Sequence, residues 1–106
     1  MITEEKKKAI FKYFNQKYLT DRSMFTFTIE GIEGLFIIYI FQNYLDLHFK
    51  SVSNSFTQIC LIDITGNIIV DDSCYYQLIN INTFKEKIQA IQDILRPNSV
   101  KFIKED

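Results

Sequence analysis

Apolar and polar positions change their spacing several times along this chain, and each change predicts an element. Over residues 3–19, Ile10, Phe11, Phe14 and Tyr18 recur three and four apart, which puts them on one face of a helix. Thr3 is placed to cap it, and Glu4 and Glu5 fall in the first turn, where the helix dipole favours carboxylates. From Met24 the period becomes two: Phe25, Phe27 and Ile29 alternate with Thr26, Thr28 and Glu30, as in a half-buried strand. Glu30-Gly31-Ile32-Glu33-Gly34 supplies two glycines for a reversal. Leu35 to Phe41 is continuously apolar and reads as a central strand covered on both faces. After a tight turn at Gln42-Asn43, Tyr44 to Lys50 alternates again. Leu45, Leu47 and Phe49 then point one way, and Tyr44, Asp46, His48 and Lys50 the other.

Ser51 to Ser55 is a polar loop, followed by a fourth strand over Phe56 to Ile64 and a fifth over Ile68 to Val70. Between them, Gly66 supplies the positive φ that a short bulged hairpin needs. Cys74 to Ile81 reads as a less regular sixth strand. Thr83 and Glu86 have the spacing of a capping box, and Phe84, Ile88, Ile91 and Leu95 trace one apolar helical face ended by Arg96-Pro97. Val100 to Ile103 suggests a last edge strand. No helix separates successive strands to make parallel crossovers. The expected class is therefore α+β: one domain over residues 1–106, with an antiparallel sheet of five or six strands flanked by an N-terminal and a C-terminal helix.

Composition narrows the class of protein. The hydrophobic fraction of 47% is that of a folded globule, and ten Phe and six Tyr can fill a small core. The longest apolar run, Leu35 to Phe41, falls far short of the roughly 20 residues that span a bilayer. The charged N-terminus lacks the apolar stretch of a signal peptide. Cys60 and Cys74, each in an apolar run, read as free thiols in a reducing compartment, and a soluble cytoplasmic protein is expected.

Charge is distributed unevenly. Residues 23–82 hold six acids (Glu30, Glu33, Asp46, Asp63, Asp71, Asp72) against Lys50 alone, net −5, whereas both ends are net basic. A nucleic-acid-binding sheet would set Arg and Lys among its aromatics; here acids stand among them, which argues against a nucleic-acid partner and for a basic protein one.

Candidate chemistry is sparse. With one histidine and two cysteines fourteen positions apart, the usual zinc patterns cannot form, and the glycine-rich phosphate loops are absent, so no metal or other cofactor is expected. His48 shares a strand face with Asp46 and Tyr44, where a carboxylate would orient an imidazole as a base. No nucleophile is signposted beside it, and a surface histidine on a polar strand face is the preferred reading. Asp71 and Asp72 lack the ligand spacing of a calcium loop and serve more simply as turn residues, but they precede Tyr75 and Tyr76. Tyrosines beside unopposed carboxylates suit a protein interface.

In its size, mildly acidic balance, Phe/Ile/Asn/Lys-rich usage and lack of a recognisable active site, the chain resembles small bacterial toxin-immunity proteins, including those of contact-dependent growth inhibition. The resemblance implies a non-enzymatic inhibitor that covers the basic active site of a cognate toxin, possible nucleases included. It transfers no particular residue. The residues expected to meet such a partner are Glu30, Glu33, Tyr44, Asp46, His48, Asp71, Asp72, Tyr75 and Tyr76. Locally, Cys60 to Val70 is similar to the strand-Asp-x-x-Gly-x-strand hairpin of sensory PAS-like domains, which implies the alternative of a small-molecule sensor.

Overall fold

A computed structural model describes residues 1–19, 23–70 and 72–96. Helix α1 (Glu4–Tyr13) is followed by five strands: β1 (Met24–Ile29), β2 (Ile32–Ile40), β3 (Tyr44–Lys50), β4 (Phe56–Asp63) and β5 (Ile68–Ile69). Two helices, α2 (Cys74–Leu78) and α3 (Asn82–Leu95), complete the described chain. The strands form one antiparallel meander in the order β1-β2-β3-β4-β5, so the class is α+β, with a helix at each end of the sheet sequence.

The alternation along each strand decides which side the helices cover. Phe25, Phe27, Phe36, Ile38, Ile40, Leu45, Leu47, Cys60 and Ile62 are buried together with Ile10, Phe11 and Phe14, and with Phe84, Ile88, Ile91 and Leu95 of α3. Rings fill this layer: Phe11, Phe25, Phe36 and Phe84 are among its fully buried side chains, and Phe27 stacks on Phe36 at 5.1 Å. Lys6 Nζ donates to the carbonyl of Leu95 at 2.7 Å, tying the start of α1 to the end of α3. Gln92 Nε2 donates to the carbonyl of Gly66 at 2.7 Å and ties α3 to the β4–β5 turn.

Four expectations need correcting. The first helix stops at Tyr13 rather than running to residue 19. Asn15 adopts φ +56, Asn15 N–H donates to the Lys12 carbonyl and Gln16 N–H to the Phe11 carbonyl, the pattern of a left-handed helix stop. Tyr18, predicted on the helical face, instead returns beyond the stop to lie edge-on against Phe11 at 5.2 Å. Cys74 to Leu78 is helical, not a sixth strand. Asp72 Oδ1 accepts from the Cys74 N–H at 2.8 Å and turns the chain, and the residues that pack inward are Cys74, Tyr75, Leu78 and Ile79, a helical spacing.

The capping box is also displaced. Ile81, in extended conformation, occupies the N-cap of α3, so Thr83 lies inside the first turn and no side chain caps the helix. Finally, the continuous apolar run at residues 35–41 has helices on one face only, although Phe36, Ile37 and Ile38 are all buried. Phe36, Ile38 and Ile40 meet the helices, while Leu35, Ile37 and Tyr39 lie on a face that none of the three helices covers. The proposed strand at Val100 to Ile103 lies outside the described residues.

Candidate functional site

The uncovered face is assembled by strand register. Met24 pairs with Tyr39, Tyr39 with Asp46, Asp46 with Leu61, and Leu61 with Ile69. These five residues make one row across all five strands, with a single carboxylate at its centre on the middle strand. Met24 is 37% exposed and Ile69 47%, so the row's apolar ends are open to solvent. Tyr44, two residues from Asp46 on the same face, is 36% exposed and stacks on Phe41 at 4.9 Å.

A second row, Thr26–Ile37–His48–Gln58, lies beside the first. Its last member depends on a bulge. Leu47 pairs with Cys60 but His48 pairs with Gln58, so Ile59 is an extra residue in β4 and is itself fully buried. The bulge brings a polar side chain, rather than Ile59, opposite His48. Gln58 Nε2 then donates to Asp46 Oδ1 at 2.9 Å, and His48 Nε2 lies 3.1 Å from the same oxygen.

Rings hold the imidazole in place: Tyr39 meets it edge-on at 5.2 Å and Phe56 stacks on it at 4.9 Å. The side chains of Asp46 and His48 are 17% and 16% exposed. With Nε2 directed at the carboxylate, Nδ1 is the ring's remaining polar atom, and it is buried without a partner. Asp46 Oδ1 therefore accepts one hydrogen bond, from Gln58, and has the imidazole Nε2 within ion-pair distance, while Oδ2 has no hydrogen-bond partner among the described residues. The only ion-pair neighbour of Asp46 among them is His48; no described Lys or Arg joins it.

The sequence-derived site residues separate into groups. Tyr44, Asp46 and His48 share the uncovered face. Glu30 and Glu33 are exposed beside the Gly31 turn, and Glu33 lies six residues along β2 from Tyr39, about 20 Å away at ~3.3 Å per residue. Asp72 serves the turn into α2. Tyr75 packs on the helix-covered side, 6.4 Å edge-on from Phe84, and burial, then Cys60 and Tyr76, raise its hydroxyl pKa. Tyr76 is 61% exposed on the same short helix. Asp71 lies outside the described residues. Sequence reasoning missed Tyr39, Gln58, Leu61, Met24 and Ile69, because their membership depends on register across strands that no local pattern encodes.

Other reactive groups are engaged in the fold. Burial first, and the Asp46 carboxylate second, push the Cys60 thiol up to about 12. Burial, then Asp72, raises the Cys74 thiol. The Asp63 carboxylate accepts from the Thr65 hydroxyl at 2.6 Å and from the backbone N–H groups of Thr65 and Asn67, and these bonds, the hydroxyl's foremost, hold its pKa below the ordinary carboxylate value. Among the described residues no cluster of three or more His, Cys, Asp or Glu side chains is poised around a metal position. No helix among them is long and apolar enough to cross a membrane. Set against protein-family models, curated proteins and solved structures, the chain matches none of them, so its sheet face must be interpreted from its own chemistry.

Proposed function

We propose that this chain is a non-enzymatic protein-binding module, an inhibitor of the immunity type, that docks a basic protein partner on the uncovered face of its sheet. The observation that carries the reading is the row Met24–Tyr39–Asp46–Leu61–Ile69, an apolar strip centred on a carboxylate with no described Lys or Arg beside it. Exposed apolar strips around a partly desolvated polar centre are the usual anatomy of a binding hot spot. Its acidic centre favours a basic protein over nucleic acid.

The Asp46–His48 pair supports binding rather than catalysis. A general base must present a nitrogen to its substrate, yet Nε2 is directed at Asp46 and Nδ1 is buried. The pair instead fixes the orientation of the carboxylate.

The test is calorimetric titration against a basic candidate partner, the product of the gene beside the one encoding this chain. Ile69→Lys and Tyr44→Ala, both on the uncovered face, are expected to weaken binding about tenfold or more each, since loss of one buried anchor typically costs ~1.4 kcal/mol or above. Tyr76→Ala, on α2, is expected to leave binding unchanged. Binding that survives the first two substitutions and is lost with Tyr76→Ala would move the contact to the other side of the molecule.

A further inference from the structure

Within that proposed docking face, we infer that Asp46 forms a socket for a single arginine side chain of the partner. The inference rests on the docking reading and specifies the chemistry at its centre. Asp46 Oδ1 is engaged by the Gln58 hydrogen bond and the nearby His48 Nε2, which hold the carboxylate and leave Oδ2, without a partner among the described residues, as the free acceptor. The side chain is only 17% exposed, so much of its hydration is already lost before any partner arrives. A cation reaching Oδ2 would therefore meet a carboxylate in a low-dielectric setting, where the attraction exceeds that at an open surface.

The neighbours select the kind of cation. Tyr39 and Leu61 flank Asp46 on the adjoining strands, and Tyr44 lies two residues away on its own strand. An aromatic ring and an aliphatic side chain on either side suit a flat, weakly hydrated guanidinium with its apolar stem. A compact ammonium would have to surrender more water to enter. The other acids lack this setting: Glu33 is exposed, and Asp63, only partly buried, has its Oδ1 committed to its own turn.

The experiment is a titration of the isotope-labelled chain, followed by backbone amide shifts, with two blocked tripeptides, Gly-Arg-Gly and Gly-Lys-Gly. The arginine peptide should move the amides of Tyr39, Tyr44, Asp46 and Leu61, and bind at least about threefold more tightly than the lysine peptide. Asp46→Asn keeps the side chain's shape and should weaken the arginine peptide about tenfold, whereas Glu33→Gln should not. Should Asp46→Asn fail to fold, Leu61→Arg answers the same question. It places a guanidinium across the strand pair from Asp46, and should abolish the peptide response with the fold intact.

Equal responses to both peptides, or shifts scattered over all exposed acids, would overturn the socket. A selection from a library of basic peptides separates this failure from failure of the docking face. Selected peptides that shift the uncovered face without enrichment in arginine overturn the socket alone. Peptides that shift only residues around Asp72 and Tyr76 overturn both.

Discussion

Two glycines at one end of the sheet share a positive φ but differ in their surroundings, so they separate two costs that usually arrive together. Gly31 has φ +90 with nothing within 4 Å of where a Cβ would stand. Gly34 has φ +138, and its Cβ would lie 2.4 Å from Phe49 Cζ and 2.7 Å from the carbonyl oxygen of Lys50. Gly31→Ala therefore tests backbone strain alone, about 1 kcal/mol after allowing for the reduced freedom of the unfolded chain. Gly34→Ala adds two overlaps. The Phe49 ring can swing aside, but the Lys50 carbonyl belongs to the β2–β3 pair, in which Leu35 faces Lys50. Moving it means opening the end of that ladder, at about 1–3 kcal/mol beyond the strain.

The expected total for Gly34→Ala is about 2–4 kcal/mol, a large share of the ~5–15 kcal/mol typical of a domain. Urea unfolding followed by circular dichroism would measure both variants, with midpoints compared at constant slope. Equal destabilisation by the two substitutions would refute the reasoning, because it would mean that the close approach of β2 to β3 at Gly34 is absent in solution. The same approach belongs to the register that puts Tyr39 opposite Asp46, so the measurement also bears on the proposed binding face.

Two further outcomes follow from the cap of α3 and from the thiols. Ile81→Asp should raise stability by about 1 kcal/mol in the same urea assay, since the first turn of α3 has no side-chain acceptor and an N-cap carboxylate would supply one. For Cys60, burial holds the folded pKa at about 12, above the ordinary thiol value, so the folded state retains its proton where the unfolded chain gives it up. That contribution to stability is complete below the unfolded pKa and is lost as pH rises from about 9 toward 12. Cys60→Ala should flatten the fall in unfolding free energy between pH 9 and pH 11 relative to the parent chain, and an unchanged slope would contradict the assignment. In native alkylation at pH 8, Cys74 should react before Cys60, which is 1% exposed.

By itself, the sequence determined the features that depend on local spacing. Period-two runs marked the side of β1 and β3 that meets the helices, and the spacing of Phe84, Ile88, Ile91 and Leu95 marked the buried side of α3. These are legible because a side chain's direction repeats with the backbone, whatever lies across from it. Thr3 was readable as a cap for the same reason, its hydroxyl accepting from the Lys6 N–H at 3.2 Å. Short-range signals failed where two competed. Asn15 outweighed a helical pattern that continued to Tyr18, and Ile81 began α3 ahead of the Thr83–Glu86 pair.

Only the tertiary structure decided what each face confronts. The apolar run at residues 35–41 is what a strand covered on both sides would show, and nothing within it reveals that both helices would pack on the same side. The bulge at Ile59 and the register of four strand pairs brought Gln58 to Asp46 and aligned Met24, Tyr39, Leu61 and Ile69 with it. Those residues are spread over 45 positions of chain, from 24 to 69. Their convergence depends on strand pairing across the whole sheet, in which a slip of one residue would turn every side chain to the opposite face.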